Sequence, residues 1–200
     1  HRAITFKQEP LTMNEKFQRL AELGAGQFEH IDGTLIDHLK GTKELLEEWG
    51  APEDLQDAGL YHAAYGTAWF TQNFVPIEQR PDIAAVIGEA AEEIVYQYCA
   101  CDRKDFFARI GKEPNPEFRN RFTGETYHLS PEMLKKFCEL TAANETEIAT
   151  DNPEFIDEHR DEFSQLFKQM APYLTTAAQE KTEEIFGTSK ESSSSLTSAN

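Results

Sequence analysis

Basic residues are scarce in this chain. It has 19 Lys and Arg against 36 Asp and Glu, a net charge of −17. Nucleic-acid binding rests on basic patches that displace counterions from phosphates, and the nearest thing to one is Lys112 with Arg119 and Arg121. Nucleic acid and anionic membrane surfaces are therefore excluded as main partners. A small cationic or neutral ligand, a metal ion, a protein or a second copy of the chain stays open. Acidic helix faces kept for solubility account for most of the charge. Cysteine is also sparse. Cys99 and Cys101 are too close to bridge comfortably, and with Cys138 the count is odd, so no disulfide framework exists and a reducing compartment is expected. No run approaches the ~18 apolar residues of a membrane span, and no signal-type apolar core stands near the start. These absences predict a soluble, intracellular protein, in the cytoplasm or in an organelle after loss of a targeting segment.

What remains is enough for one globular domain: 200 residues, 39% hydrophobic and 11% aromatic. Nearly every periodic segment reads as helix. A first runs from about Asn14 to Leu23. A second, after Asp32-Gly33, carries the stripe Leu35, His38, Leu39, Thr42, Leu45, Leu46 and Trp49. Pro52 in the first turn, followed by Glu53 and Asp54, opens a third helix with the inner face Leu55, Ala58, Gly59, His62 and Tyr65. The fourth and longest is expected from Pro81 to Cys101, and even to Ile110 with a break near Asp102. A connection over 111–129 follows, in which 121–128 suits a short hairpin or an ordered loop. Helices opened by Pro131, Pro153 and Pro172 complete an all-α domain over 1–187. The Ser-rich segment 188–200 reads as a disordered tail.

Two histidines interrupt apolar stripes. His38 and His62 sit on consecutive helices, which tend to pack together, and burying two imidazoles costs stability unless each finds a partner. Such a pair is either satisfied within the core or shares a metal, a substrate or a proton. His30, just before the second helix, could close the same cavity as a ligand-binding residue. Tyr65 lies one turn beyond His62 and is expected to send its hydroxyl there for acid–base work. On the long helix Arg103 offers a guanidinium to a ligand, and Glu93 is expected to face inward in preference to Glu92. Asn144 and Glu145 break the stripe Leu134, Phe137, Cys138, Thr141, Ile148, which suits a polar cavity lining with Asn144 binding and Glu145 catalytic.

These residues resemble the HD superfamily of all-α metal-dependent phosphohydrolases and di-iron oxygenases. His38-Leu-Lys-Gly-Thr42 looks like its first histidine element, Ala58-Gly-Leu-Tyr-His62-Ala63 like its His-Asp pair, and Leu140-Thr-Ala-Ala-Asn144-Glu145 like its closing aspartate. The likeness covers roughly 28–150. It is closer to an uncharacterised branch with the patterns H-x-x-G-T-L-x-x-H-L, W-G-A-P and H-x-x-Y-G, found here at 30–39, 49–52 and 62–66. Two positions depart from the superfamily: Ala63 stands where it has its bridging aspartate, and Asn144 replaces the closing one. The resemblance thus implies either a single divalent transition metal (Fe, Mn, Zn or Ni) held by His38 and His62 with His30 or Glu145, in a hydrolase or oxygenase, or a metal-free cavity in which the imidazoles and Tyr65 do acid–base work. The competing expectation is a non-catalytic accessory subunit on a degenerate HD-like scaffold, with Trp69, Phe70, Phe74, Phe163 and Phe167 forming an interface.

Overall fold

The computed structural model of the chain describes residues 11–23, 33–69 and 74–187. His30, Phe70 and the expected tail over 188–200 lie outside the described residues. Nine α-helices are described: α1 Met13–Leu23, α2 Gly33–Glu48, α3 Glu53–Tyr61, α4 Arg80–Ile87, α5 Glu89–Ala100, α6 Arg103–Arg109, α7 Pro131–Ala149, α8 Pro153–Met170 and α9 Thr176–Phe186. One antiparallel pair, β1 Glu117–Arg119 with β2 Thr126–His128, is the whole sheet content among them. The protein is all-α, as its periodicity predicts. None of these helices is long and apolar enough to cross a membrane.

The α2–α3 hairpin is written in Trp49-Gly-Ala-Pro52. Gly50 adopts φ 74°, the Gly50 amide donates to the Glu47 carbonyl, and the Ala51 amide donates to Leu46. This is the Schellman closure that a glycine just past a helix end permits, and Pro52 then leads directly into α3. At Gly59 the two helices nearly touch: a Cβ there would stand 2.7 Å from Leu46 Cδ1, a fully buried methyl. Gly59→Ala would gain about 1 kcal/mol of helix propensity but overpack this contact at a cost of about 1–3 kcal/mol. A net loss of up to ~2 kcal/mol, read as a lower urea midpoint, is expected; a raised midpoint would show that α2 and α3 separate freely.

Helix α7 is the axis of the molecule, and α2, α3, α5, α8 and α9 all pack on it. Ser130 caps its start by accepting from the Met133 amide, with Pro131 in the first turn. Twelve of its 19 residues are buried, so polar Thr141, Asn144, Glu145 and Thr146 are inside along with Leu134 and Phe137. Helix α1 docks through Lys16, whose buried ammonium pairs with Asp57 on α3.

Three expectations are corrected. The long helix from Pro81 breaks at Gly88, which turns the chain with φ 87°, a region glycine enters without penalty. The second break, at Asp102, falls where expected, and the β-hairpin seals it: Arg121 N donates to Ala100 O and Asp102 N to Arg119 O. On α5 it is Glu92 that is buried and Glu93 that is partly exposed, the reverse of the expectation. Glu92 takes two hydrogen bonds from Arg80 and one from Tyr65. Of the supposed interface aromatics, Phe74, Phe163 and Phe167 are core residues. Phe163 and Phe167 stack on each other and pack against Phe186 between α8 and α9, and among the described ones only Trp69 is broadly exposed, at 52%.

Candidate functional site

Helices α2, α7 and α8 and the turn after α3 enclose a cavity of about 590 Å³. Its lining includes His38, His62, Arg103, Asn144 and Glu145, five of the residues singled out in the sequence. Ala63 and Thr67 from the turn, Trp69, Ile148 from α7, and Phe155, His159 and Phe163 from α8 close the walls. Cavities of this size with mostly apolar walls and a few convergent polar groups are the usual form of small-molecule sites.

His62 ends up here because α3 stops at Tyr61, one residue before it. In the turn that follows, its Nδ1–H donates back to the Gly59 carbonyl at 2.6 Å, and its own carbonyl accepts from the Cys99 thiol. Burial, reinforced by the neighbouring His38, pushes the imidazole's pKa down to about 3. His62 is therefore neutral with its proton on Nδ1, and Nε2 presents a lone pair to the cavity.

His38 faces it from α2. Its Nδ1 is hydrogen-bonded to the Glu147 carboxylate of α7, a contact given room by Gly41, where a Cβ would stand 2.9 Å from Glu147 Cγ. The His38 and His62 Nε2 atoms are 3.2 Å apart, with the rings nearly perpendicular. Asn144 Oδ1 stands 3.1 Å from His38 Nε2. The amide's orientation is fixed from its other end, since Nδ2 donates to Glu145 Oε1 at 2.9 Å. His62 Nε2 and Asn144 Oδ1 thus both lie within hydrogen-bond reach of His38 Nε2. Electron-pair donors this close are satisfied by a cation, either a shared proton or a metal ion.

The donor chemistry fits one ion better than two. Donors bound to one tetrahedral ion at 2.0–2.1 Å lie about 3.3 Å apart, close to the separations found. The backing of both Nδ1 atoms, by a carbonyl and by a carboxylate, is the outer hydrogen bonding that orients ligating histidines. Among the described residues no group of three or more His, Cys, Asp or Glu is placed to hold an ion. A three-donor set here would depend on the Asn144 amide, and Ala63 brings no ligand atom. Two ions need several bridging carboxylates that these positions do not supply.

Deeper in the wall, Glu145 and Arg103 are both 3% exposed by side chain, with Arg103 Nη1 3.9 Å from Glu145 Oε1. Burial holds the Glu145 carboxyl above its usual range, against the pull of Arg103. Tyr65 is not part of the site. The helix expected to carry it ends four residues earlier, and its hydroxyl turns away to donate to Glu92 at 2.8 Å. Burial and the Glu92 carboxylate push the phenol's pKa up, which leaves it a structural donor. Arg121 is likewise structural, donating to the Cys99 and Gly66 carbonyls. The sequence reading missed Glu147 and His159. Glu147 carried one usable signal: it is three residues beyond Asn144 on the same helix face.

Residues 19–103 match the model of a family described as a domain of unknown function (DUF6817). That stretch contains His38, His62 and Arg103 but stops short of α7, and it is less than half of the chain. No curated protein and no solved structure matches the chain significantly.

Proposed function

We propose that the chain is a small-molecule enzyme or binding protein of HD-like type, whose cavity holds one divalent transition metal on His38 and His62 with Asn144 as the third donor. The observation that carries this reading is the approach of a second backed imidazole nitrogen, at 3.2 Å, and of an oriented amide oxygen, at 3.1 Å, to His38 Nε2. When bound, such an ion would supply Lewis acidity for hydrolysis or, if redox-active, an oxygenase-type reaction. The chain's own contributions are distinct. Glu147 and the Gly59 carbonyl keep both ring protons on Nδ1 and aim the Nε2 atoms. Ile148, Phe155 and Phe163 keep water from the reacting end, and Glu145, its protonated form favoured by burial, is the group able to hand a proton to a ligand. Burial of Phe74, Phe163 and Phe167 supports the pocket over the accessory-subunit interface.

The test is calorimetric titration of Zn, Mn, Fe(II) and Ni into chelator-stripped protein, with elemental analysis of the protein as purified. One ion per chain is expected, with binding lost in His38→Ala and His62→Ala. Glu147→Gln removes only the backing of His38, so a weaker effect of about 10–100-fold in affinity is expected. Two ions per chain, or full affinity in both histidine variants, would refute the reading.

A further inference from the structure

Arginines elsewhere in this protein use their donors. Arg80 makes three hydrogen bonds to Glu92 and Glu93, and Arg121 makes two to backbone carbonyls. Arg103 does not. It is 3% exposed, and its Nε is buried without a hydrogen-bond partner. Its guanidinium lies against two aromatic rings, 4.6 Å from the Tyr98 centroid and 4.9 Å from that of Trp69. The Tyr98 hydroxyl is buried and unpartnered as well. Among the described residues the carboxylate partner of Arg103 is Glu145, and that stands 3.9 Å away, beyond hydrogen-bond reach. A buried guanidinium N–H without a hydrogen bond is costly, and a native protein that keeps one generally has a use for it.

The use is indicated by what lies in front of it. Arg103 lines the main cavity, whose apolar lining includes Leu35 of α2, Ile148 of α7 and Phe155 and Phe163 of α8, with His159 and Glu162 beside them. We propose that Arg103 is the anion receptor of this cavity and that the ligand is a monocarboxylate with an apolar body, its head on the guanidinium and its body along those four side chains. The planar fork of N–H donors matches a carboxylate in two parallel hydrogen bonds, and the flanking rings fix its plane in advance. The chain's net charge of −17 and the presence of Glu162 in the same lining disfavour a dianion. A single negative charge is what a single guanidinium offsets.

The proposal rests on reading the cavity as a ligand pocket but not on the metal. Octanoate, octanamide and octyl phosphate are titrated into the full chain in the presence of a chelator, so that no carboxylate can bind through an ion. Binding is followed by calorimetry and by the fluorescence of Trp69, whose ring touches Arg103. Octanoate is expected to bind about 10–100-fold more tightly than octanamide, the range for a hydrogen-bonded charge, and more tightly than octyl phosphate. Arg103→Gln should erase the preference for octanoate over octanamide, and Arg103→Lys should restore part of it, with near-ultraviolet circular dichroism confirming the fold of each. No binding of octanoate, equal binding of octanamide, tighter binding of octyl phosphate, or an intact preference in Arg103→Gln would each overturn the proposal. If neither variant folds, the three ligands on the native chain decide the matter. Failure here alongside one bound ion per chain would leave the metal reading standing, and the reverse pattern would leave the carboxylate site standing.

Discussion

Phe137→Ala is expected to lower the free energy of unfolding by about 3–5 kcal/mol, the range for truncating a fully buried phenylalanine. Phe137 is 1% exposed and sits where four elements meet. Its ring centroid is 5.5 Å from Tyr98 on α5, 5.3 Å from Phe106 on α6 and 6.2 Å from Phe118 on β1. The lost contacts are edge-to-face and tilted ring pairs, each favourable beyond the area it buries. Neighbours on three different elements cannot all move inward to refill the space, so the cavity persists and its cost adds to the lost transfer energy. The effect extends to the site. Asn144 lies two turns further along the same face of α7, and Tyr98, which touches Phe137, also touches Arg103 and His62. Urea unfolding should show a midpoint lowered by about 1–2 M, with ligand or metal binding weakened in parallel. A loss below about 1 kcal/mol would show that the hairpin and α6 collapse onto the gap, and hence that α6, which carries Arg103, is not held rigidly.

The imidazole pair was legible in the sequence because its signal is local. Polar residues at stripe positions of two helices joined by a Schellman turn have few places to go other than a shared interior. The same logic worked for Asn144 and Glu145, which break a stripe. It failed for Tyr65, because the (i, i+3) relation presumes a helix that continues, and α3 ends at Tyr61. The ring then follows the turn to Glu92. It failed also for Glu92 against Glu93. Which of two adjacent carboxylates is buried depends on Arg80, placed by the kink at Gly88, and nothing in the stripe of α5 announces a partner from another helix. Glu147 was hidden differently. A glutamate near a helix end reads as solvated, and the feature that draws it inward is Gly41, more than a hundred residues away in sequence and adjacent in space. Arg103 could be singled out as a guanidinium near the candidate site, but its unpartnered Nε is a property of packing that no one-dimensional pattern records.

Between pH 7.5 and about 5, the chelator-treated protein should lose roughly 2 kcal/mol of stability through His62 alone. The native pKa is pushed down to about 3, first by burial and then by His38, from an ordinary value of 6.5. Between those values the unfolded chain takes up a proton at this position that the native state refuses, so stability rises with pH across the window and falls as pH falls below about 6.5. Each unit of pH within it is worth about 1.4 kcal/mol. Glu145 acts in the opposite sense. Its carboxyl is raised by burial, so its contribution is fully present at low pH and is lost as pH rises through the native value. The two partly offset each other, and the native protein's pH profile by itself cannot assign either. Comparison with His62→Gln does, because the amide keeps a polar group in the turn and has no proton to bind. Urea unfolding of both proteins at about pH 7.5 and pH 5 should show the native chain losing roughly 2 kcal/mol more than the variant over the interval. Identical losses would mean that native His62 accepts the proton, and its Nε2 would then be a donor in acid. A clear difference would establish that this nitrogen keeps its lone pair in the folded protein down to acid pH, the property on which any use of the imidazole pair, for a metal ion or for a proton shared with His38, depends.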